Sequence, residues 1–232
     1  MRKRITLAAS ALVAGAAWLS PASSAGEPKW KQHTINGKSE FEAAGAFDVD
    51  GDGRIDVLSG DAWYQAPNWT RHPVREVARM GTYYNDFAVV PLDLDGDGDL
   101  DYVTASYFGK EVAWVENPGK AGEAWTTHQI DLPGTSEAAA AVDLSGDGVP
   151  DILPNSTNVV VWYEVVRKAD GKGVEFKKHD FGTEAAGHGV GSGDVNGDGR
   201  TDLLTPKGWF EAPADPSRDT WTWHPDWNLG AT

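Results

Sequence analysis

A nine-residue pattern, D-x-[DSN]-G-D-G-x-x-D, occurs four times in this 232-residue chain, at Asp48–Asp56, Asp93–Asp101, Asp143–Asp151 and Asp194–Asp202. Starting at 48, 93, 143 and 194, the copies are 45, 50 and 51 residues apart, so the chain is a tandem array of one structural unit. Side chains at positions 1, 3, 5 and 9 of each loop supply oxygens, and position 7 offers its backbone carbonyl. Glycine at position 6 permits the sharp turn. An all-oxygen donor set suits a hard cation, and the expected ion is calcium, up to four times over.

The first loop offers Asp48, Asp50, Asp52 and Asp56 with the carbonyl of Arg54. The second offers Asp93, Asp95, Asp97 and Asp101 with the carbonyl of Asp99. The third has Asp143, Ser145, Asp147 and Asp151 with the carbonyl of Val149, and the fourth has Asp194, Asn196, Asp198 and Asp202 with that of Arg200. Ser145 and Asn196 are neutral donors, so the last two loops should bind more weakly. The competing reading is four acidic Asp-Gly turns without metal; recurrence of both glycines in every copy counts against it. Position 12, where an EF-hand carries its bidentate Glu, holds Ser59, Thr104, Pro154 and Thr205. The residues after each loop read as short strands, and no helical period of apolar residues flanks them.

The first 25 residues have the layout of a secretory signal: Arg2-Lys3-Arg4, an apolar run from Ile5 to Leu19, then Ser23-Ser24-Ala25 with cleavage expected after Ala25. The run is short for a membrane span, a retained anchor being the alternative, and no later stretch could cross a bilayer. With no cysteine, an exported chain lacks disulfide staples, and bound calcium would take over that stiffening. The formal charge is −15. Fifteen acidic residues lie in the four loops, so the acidity belongs to the cation sites and argues against a nucleic-acid partner.

Two more markers recur. An aromatic residue stands three before a His at Trp30/His33, Trp69/His72, Trp125/His128, Phe176/His179 and Trp221/His224. A Trp-led strand follows each loop at Trp63-Tyr64-Gln65, Trp114-Val115-Glu116, Trp162-Tyr163-Glu164 and Trp209-Phe210-Glu211. Each cassette therefore reads as four strands: a small apolar strand into the loop, a second out of it, the Trp strand, and the aromatic-x-x-His strand. That is an all-β chain of four-stranded antiparallel β-propeller blades, at about 40–75, 84–131, 135–181 and 186–226. The repeat Trp residues are read as core between blades rather than as a sugar platform, and the repeat His as structural hydrogen-bonders. His188 stands outside that pattern.

With these motifs in view, the chain resembles the FG-GAP or VCBS-type repeats of the integrin-alpha-like propeller superfamily, bacterial secreted type. The resemblance implies calcium loops on the lower face and partners on the upper. It leaves activity open, since the family includes binding proteins, some polysaccharide lyases and a sugar dehydratase. Such propellers usually have six or seven blades. Four loops and a leading fourth-strand marker therefore suggest a partial chain or one module of a longer one, a four-bladed ring being the alternative.

At the upper mouth, counting six residues back from each loop gives Glu42, Phe87, Glu137 and His188, with Asn85 and Asp86 beside Phe87. Tyr107, Phe108, Lys110 and Lys207 should join them from the turns between second and third strands. Three functions compete. The first is a secreted calcium-stiffened module binding an extracellular protein or glycan. The second is a carbohydrate lyase or dehydratase using Glu42, Asp86, Glu137 and His188, with Glu137 or Glu42 as base and His188 as acid or metal ligand. The third is a purely structural adhesin segment. No serine triad order, nucleophile elbow or phosphate loop is visible.

Overall fold

The computed structural model describes residues 29–120, 122–169 and 173–230; the leader expected at 1–25 lies outside them. Two compact units are distinguished, Met1–Thr34 and Ile35–Thr232. Of the first, residues 29–34 form no strand, and Trp30 is 91% exposed. The fourth strand expected at Trp30–His33 is therefore not formed. Elsewhere this marker pairs with a third strand.

The second unit is all-β. Its first sheet takes β1 (Gly45–Phe47), β2 (Asp56–Ser59), β3 (Ala62–Gln65) and β4 (Thr70–Pro73) in that order. A small hairpin follows, of β5 (Arg79–Met80) and β6 (Tyr83–Tyr84). The second sheet contains β7 (Val90–Leu92), β8 (Asp101–Ala105), β9 (Val112–Glu116) and β10 (Thr126–Asp131). The third holds β11 (Ser136–Val142), β12 (Asp151–Ser156), β13 (Val161–Arg167) and β14 (Val174–Asp180). The fourth holds β15 (Gly191–Gly193), β16 (Asp202–Thr205), β17 (Gly208–Glu211) and β18 (Thr222–His224).

Each sheet is an antiparallel meander, the form of a propeller blade. A meander sorts its connections by end. The acidic loops and the third-to-fourth strand turns lie at one end, called lower here. The second-to-third strand turns and the links between blades lie at the other. Inner strands approach closely: a Cβ built on Gly45 would lie 2.5 Å from the Val89 side chain of the next blade.

The core is three clusters, each shared by two successive blades. Leu58 and Trp63 of the first blade meet Tyr102 and Val115 of the second. Val103 and Trp114 of the second meet Ile152 and Tyr163 of the third. Leu153 and Trp162 of the third meet Leu203, Phe210 and Trp221 of the fourth. A blade cannot bury its faces alone, so each is stabilised chiefly by its neighbours.

The Trp and His markers meet across the strands. Trp63 lies opposite His72, Trp114 opposite His128, Trp162 opposite His179 and Trp209 opposite His224. Each pair stacks, with ring centroids 4.4, 4.4, 3.9 and 4.3 Å apart. The outer nitrogen of each His then meets the residue two after the Trp: Glu116 at 2.7 Å, Glu164 and Glu211 at 2.8 Å, and Gln65 at 3.3 Å. The spacing that recurs in sequence is thus a cross-strand register.

Candidate functional site

Every acidic loop is wound around its own side chains. The position-1 carboxylate accepts the amide of the position-4 glycine (Gly96 2.8, Gly146 2.7 and Gly197 2.7 Å) or of the position-6 glycine (Gly53 2.8, Gly148 3.0 and Gly199 2.9 Å). Both glycines take positive φ in all four loops, at 70° and 84° for Gly51 and Gly53. A side chain would be strained at either position. The position-5 carboxylate accepts the position-7 amide at Arg54, Asp99, Val149 and Arg200, at 2.8–2.9 Å.

Position 9 has a role that the motif alone does not reveal. Asp56, Asp151 and Asp202 are wholly buried, and Asp101 is 1% exposed. One oxygen accepts the amide of loop position 2: Val49 3.1, Leu94 3.2, Leu144 2.9 and Val195 2.8 Å. The other accepts an amide just beyond or at the end of the third strand: Ala66 2.7, Asn117 2.8, Val165 3.0 and Ala212 2.9 Å. The carboxylate therefore latches the first, second and third strands together beneath the loop. In Asp56, Asp101 and Asp202 each oxygen keeps a second lone pair that can still face a cation, whereas one oxygen of Asp151 also accepts the Ser145 amide at 2.8 Å and only the other keeps one.

The loops differ in what they present. Oxygens of Asp48, Asp50 and Asp56, and of Asp93, Asp95 and Asp97, lie within 4.8 Å of one another in their respective loops. Opposed ligands around an ion held at about 2.4 Å are about 4.8 Å apart, so both clusters fit a calcium-sized cation. Asp52 of the first loop instead pairs with Arg54, and Asp198 of the fourth with Arg200. Ser145 sits 3.4 Å from Asp143, and Asn196 donates to Asp198 at 3.0 Å. Burial pushes the carboxyls of Asp56 and Asp151 above their ordinary range and that of Asp101 up to about 7, against the pull of the amides they accept. Asp95 is raised first by burial, with repulsion from Asp97, Glu116 and Asp93 adding to it. A bound cation would reverse these shifts.

Neighbouring blades tie into the first two loops. Asn117 donates to the carbonyl of Val49 at 2.8 Å, and Arg167 to that of Leu94 at 3.3 Å and to that of Asp93. Third-strand residues also reach position 3: Gln65 donates to Asp50 at 2.5 Å, and Asn196 to Glu211 at 3.0 Å. Their recurrence two residues after the Trp is the signal that could have placed them beside the loops.

At the upper end, two expected partners come together. His188, just before β15, lies 3.2 Å from Glu137 in β11, and both are exposed. Glu42 is exposed beside β1. Asp86 does not join them. It is fully buried, bonded to Arg75 at 2.6 Å and to the Thr104 hydroxyl at 3.1 Å, while Arg75 also donates to Tyr102 at 2.9 Å. Burial raises its carboxyl despite the guanidinium. So enclosed, the carboxylate joins the first and second blades, and its other oxygen, also buried, accepts no hydrogen bond among the described residues. Lys207 donates to the carbonyl of Glu184 at 2.6 Å, beside a groove of about 470 Å³ that Phe181, Phe210 and Trp223 also line. Tyr107, Phe108 and Phe87 form one aromatic patch with Tyr83.

Four-stranded meander blades hinged on acidic loops define a repeat protein of β-propeller type. Residues 93–153, from the second loop into β12, match the family model described as FG-GAP-like repeat. Among curated proteins there is no match. Solved structures similar to the chain include a lectin of Agrocybe aegerita, described by its specific recognition of non-reducing terminal N-acetylglucosamine. It is 19% identical with a TM-score of 0.45, over 80% of this chain and 52% of the lectin chain. The V. cholerae biofilm matrix protein Bap1 is 19% identical with a TM-score of 0.44, over 79% of this chain and 30% of Bap1. The chain thus spans about half of the first and under a third of the second, and the activity of neither is carried over. Among the described residues no helix is long and apolar enough to cross a membrane.

Proposed function

We propose that the chain is a secreted, calcium-binding propeller module that presents its upper face to an extracellular glycan or protein, the ions serving the scaffold. The observation that carries this is the pair of three-carboxylate clusters, Asp48/Asp50/Asp56 and Asp93/Asp95/Asp97, gathered to the dimensions of one cation. Asp143, Ser145, Asp147 and Asp151, and Asp194, Asn196, Asp198 and Asp202, would hold weaker ions. The carbonyls of Arg54, Asp99, Val149 and Arg200 complete the sets. Calcium is favoured over magnesium because irregular loops with many carboxylates accommodate six to eight oxygens at variable distance. Bound calcium supplies positive charge that lets buried carboxylates ionise; the chain's own loops position it and pass the constraint to the blades. The leader at 1–25 would export the protein to millimolar calcium.

The test is thermal unfolding in chelator, in millimolar calcium and in equal magnesium. Calcium should raise the midpoint well above both other conditions. A midpoint indifferent to calcium overturns the scaffold role.

One observation favours a second reading, carbohydrate lyase or dehydratase chemistry: the contact between His188 and Glu137 across the third and fourth blades. There Glu137 would take a sugar proton while His188 protonates the leaving oxygen. Incubation with acidic polysaccharides should then give ultraviolet-absorbing unsaturated products that His188→Ala and Glu137→Ala abolish. Turnover that survives both substitutions rejects that pair.

A further inference from the structure

The aromatic patch over the first and second blades departs from the repeat. In every blade the marker Trp is spent on stacking with its His, and the large rings fill the cores between blades. Tyr83, Phe87, Tyr107 and Phe108 do neither. Their centroids lie 5.2 to 6.1 Å apart in a continuous group, Tyr83–Phe108, Phe108–Tyr107, Tyr107–Phe87 and Phe87–Phe108. Tyr83 is 48% exposed and Phe108 39%. Tyr83 comes from the β5–β6 hairpin, Phe87 from the segment between that hairpin and β7, and Tyr107 and Phe108 from the turn 106–111 between β8 and β9. The corresponding turns of the other blades are shorter and carry Gly60-Asp61, Thr157-Asn158 and Pro206-Lys207, with no aromatic residue.

The patch is held rigid from beneath. The Asn85 side-chain oxygen accepts the amides of Phe108 at 3.2 Å and Gly109 at 3.3 Å. The Ser106 hydroxyl accepts the Glu111 amide at 3.0 Å, and the Ser106 amide donates to the Glu111 carbonyl at 2.8 Å. A Cβ at Gly109 would lie 2.6 Å from Asn85 and 2.7 Å from Ser106, so the turn is packed to the limit. Lys110 sits within it at φ 61°, a costly conformation for a side-chain-bearing residue. Beside the hairpin, the buried Asp86, Tyr102 and Thr104 are tied together by the half-buried Arg75. Arg79 lies over the Tyr84 ring at 5.3 Å and 3.5 Å from Glu40.

A fixed set of exposed and half-exposed rings beside a cation is suited to pyranose rings, whose C–H faces stack on aromatic planes while hydroxyls and acidic groups bond at the rim. Lys110 is exposed and has no ion-pair partner among the described residues, in a chain of formal charge −15. An anionic ligand is what complements it. We infer that Tyr83, Phe87, Tyr107, Phe108 and Lys110 form a binding site for a carboxylate-bearing glycan. This inference rests on the binding-module reading above and names its site and ligand class.

The experiment uses the calcium-loaded full chain and titration calorimetry. Its probes are tetrasaccharides of guluronate and of galacturonate, with a neutral tetrasaccharide as control. At least one uronate should bind. Phe108→Ala and Tyr83→Ala should each weaken it about tenfold or more, since stacking and burial of one ring correspond to roughly that factor. Lys110→Met should weaken the uronate and narrow its preference over the neutral sugar. All three side chains are exposed, and an unchanged melting midpoint shows that the scaffold survives. Uronate binding that persists in the ring variants overturns this site while leaving the module reading intact. No uronate binding, or a patch saturated by peptides alone, overturns the glycan assignment. Loss of calcium-dependent stability in the same preparation would instead sink the module reading itself.

Discussion

Asp151 illustrates what the last loop position contributes. It accepts three backbone amides, from Leu144, Ser145 and Val165, at 2.8 to 3.0 Å in a wholly buried setting. Asp151→Ala would leave all three donors without a partner. At roughly 1–3 kcal/mol for a buried orphan, the loss should be on the order of 3 kcal/mol or more. Asp151→Asn keeps one acceptor oxygen and should lose about half as much. Urea unfolding in chelator checks this without any contribution from metal. Equal, small losses in both variants would show that the carboxylate serves the cation alone. Only half of this role was legible in the sequence. The motif identifies Asp56, Asp101, Asp151 and Asp202 as oxygen donors, but their burial follows from strands that close over them. The available hint was strand alternation: Asp56 shares a face with Leu58, which is fully buried, while Ile55 on the other face is exposed.

Among the blade elements, the third- and fourth-strand pair carries a testable pH response. His179 stacks on Trp162 and meets Glu164 at 2.8 Å, and burial lowers its pKa below the ordinary 6.5 despite that acid. The unfolded chain therefore takes up this proton before the folded one does. The stability His179 contributes is complete above the unfolded value and declines as pH falls through the folded one. In saturating calcium, the melting midpoint should fall between about pH 7.5 and about pH 5.5, and less so in His179→Gln. A variant that falls as steeply as the wild type would place the sensitivity elsewhere. The pairing itself was legible because cross-strand neighbours must recur at constant spacing once turn length is fixed. The β5–β6 hairpin was not. Counting back from a loop assumes every blade enters alike. In the second blade the chain first folds a hairpin, then turns Asp86 under to meet Arg75, so a predicted mouth residue becomes an interior one.

For the unit Ile35–Thr232 as a whole, the all-β class and the blade plan were readable from four loops and two markers. That the repeat Trp residues pack between blades was readable too, but which residues of two blades meet, such as Trp162 with Trp221, was not. Those cores connect the blades in series, and Asn117 and Arg167 fasten the first two loops to the blade that follows. An ion that orders one loop therefore stabilises the blade beside it. If all four loops bind, unfolding free energy should rise with calcium at about 1.4 kcal/mol per tenfold concentration and site, a limiting slope of roughly 5–6 kcal/mol per tenfold over the four. The rise should come in two stages. The loops with three gathered carboxylates fill at lower calcium, and those with Ser145 and Asn196 fill higher. Urea unfolding across a calcium series measures that slope directly. A limiting slope near about 3 kcal/mol would confine the ions to the first two loops. The third blade would then respond to calcium only through Arg167 and the core it shares with the second, and the fourth only through the Trp162 core, so the effect of withdrawing calcium should fade from the second blade to the fourth.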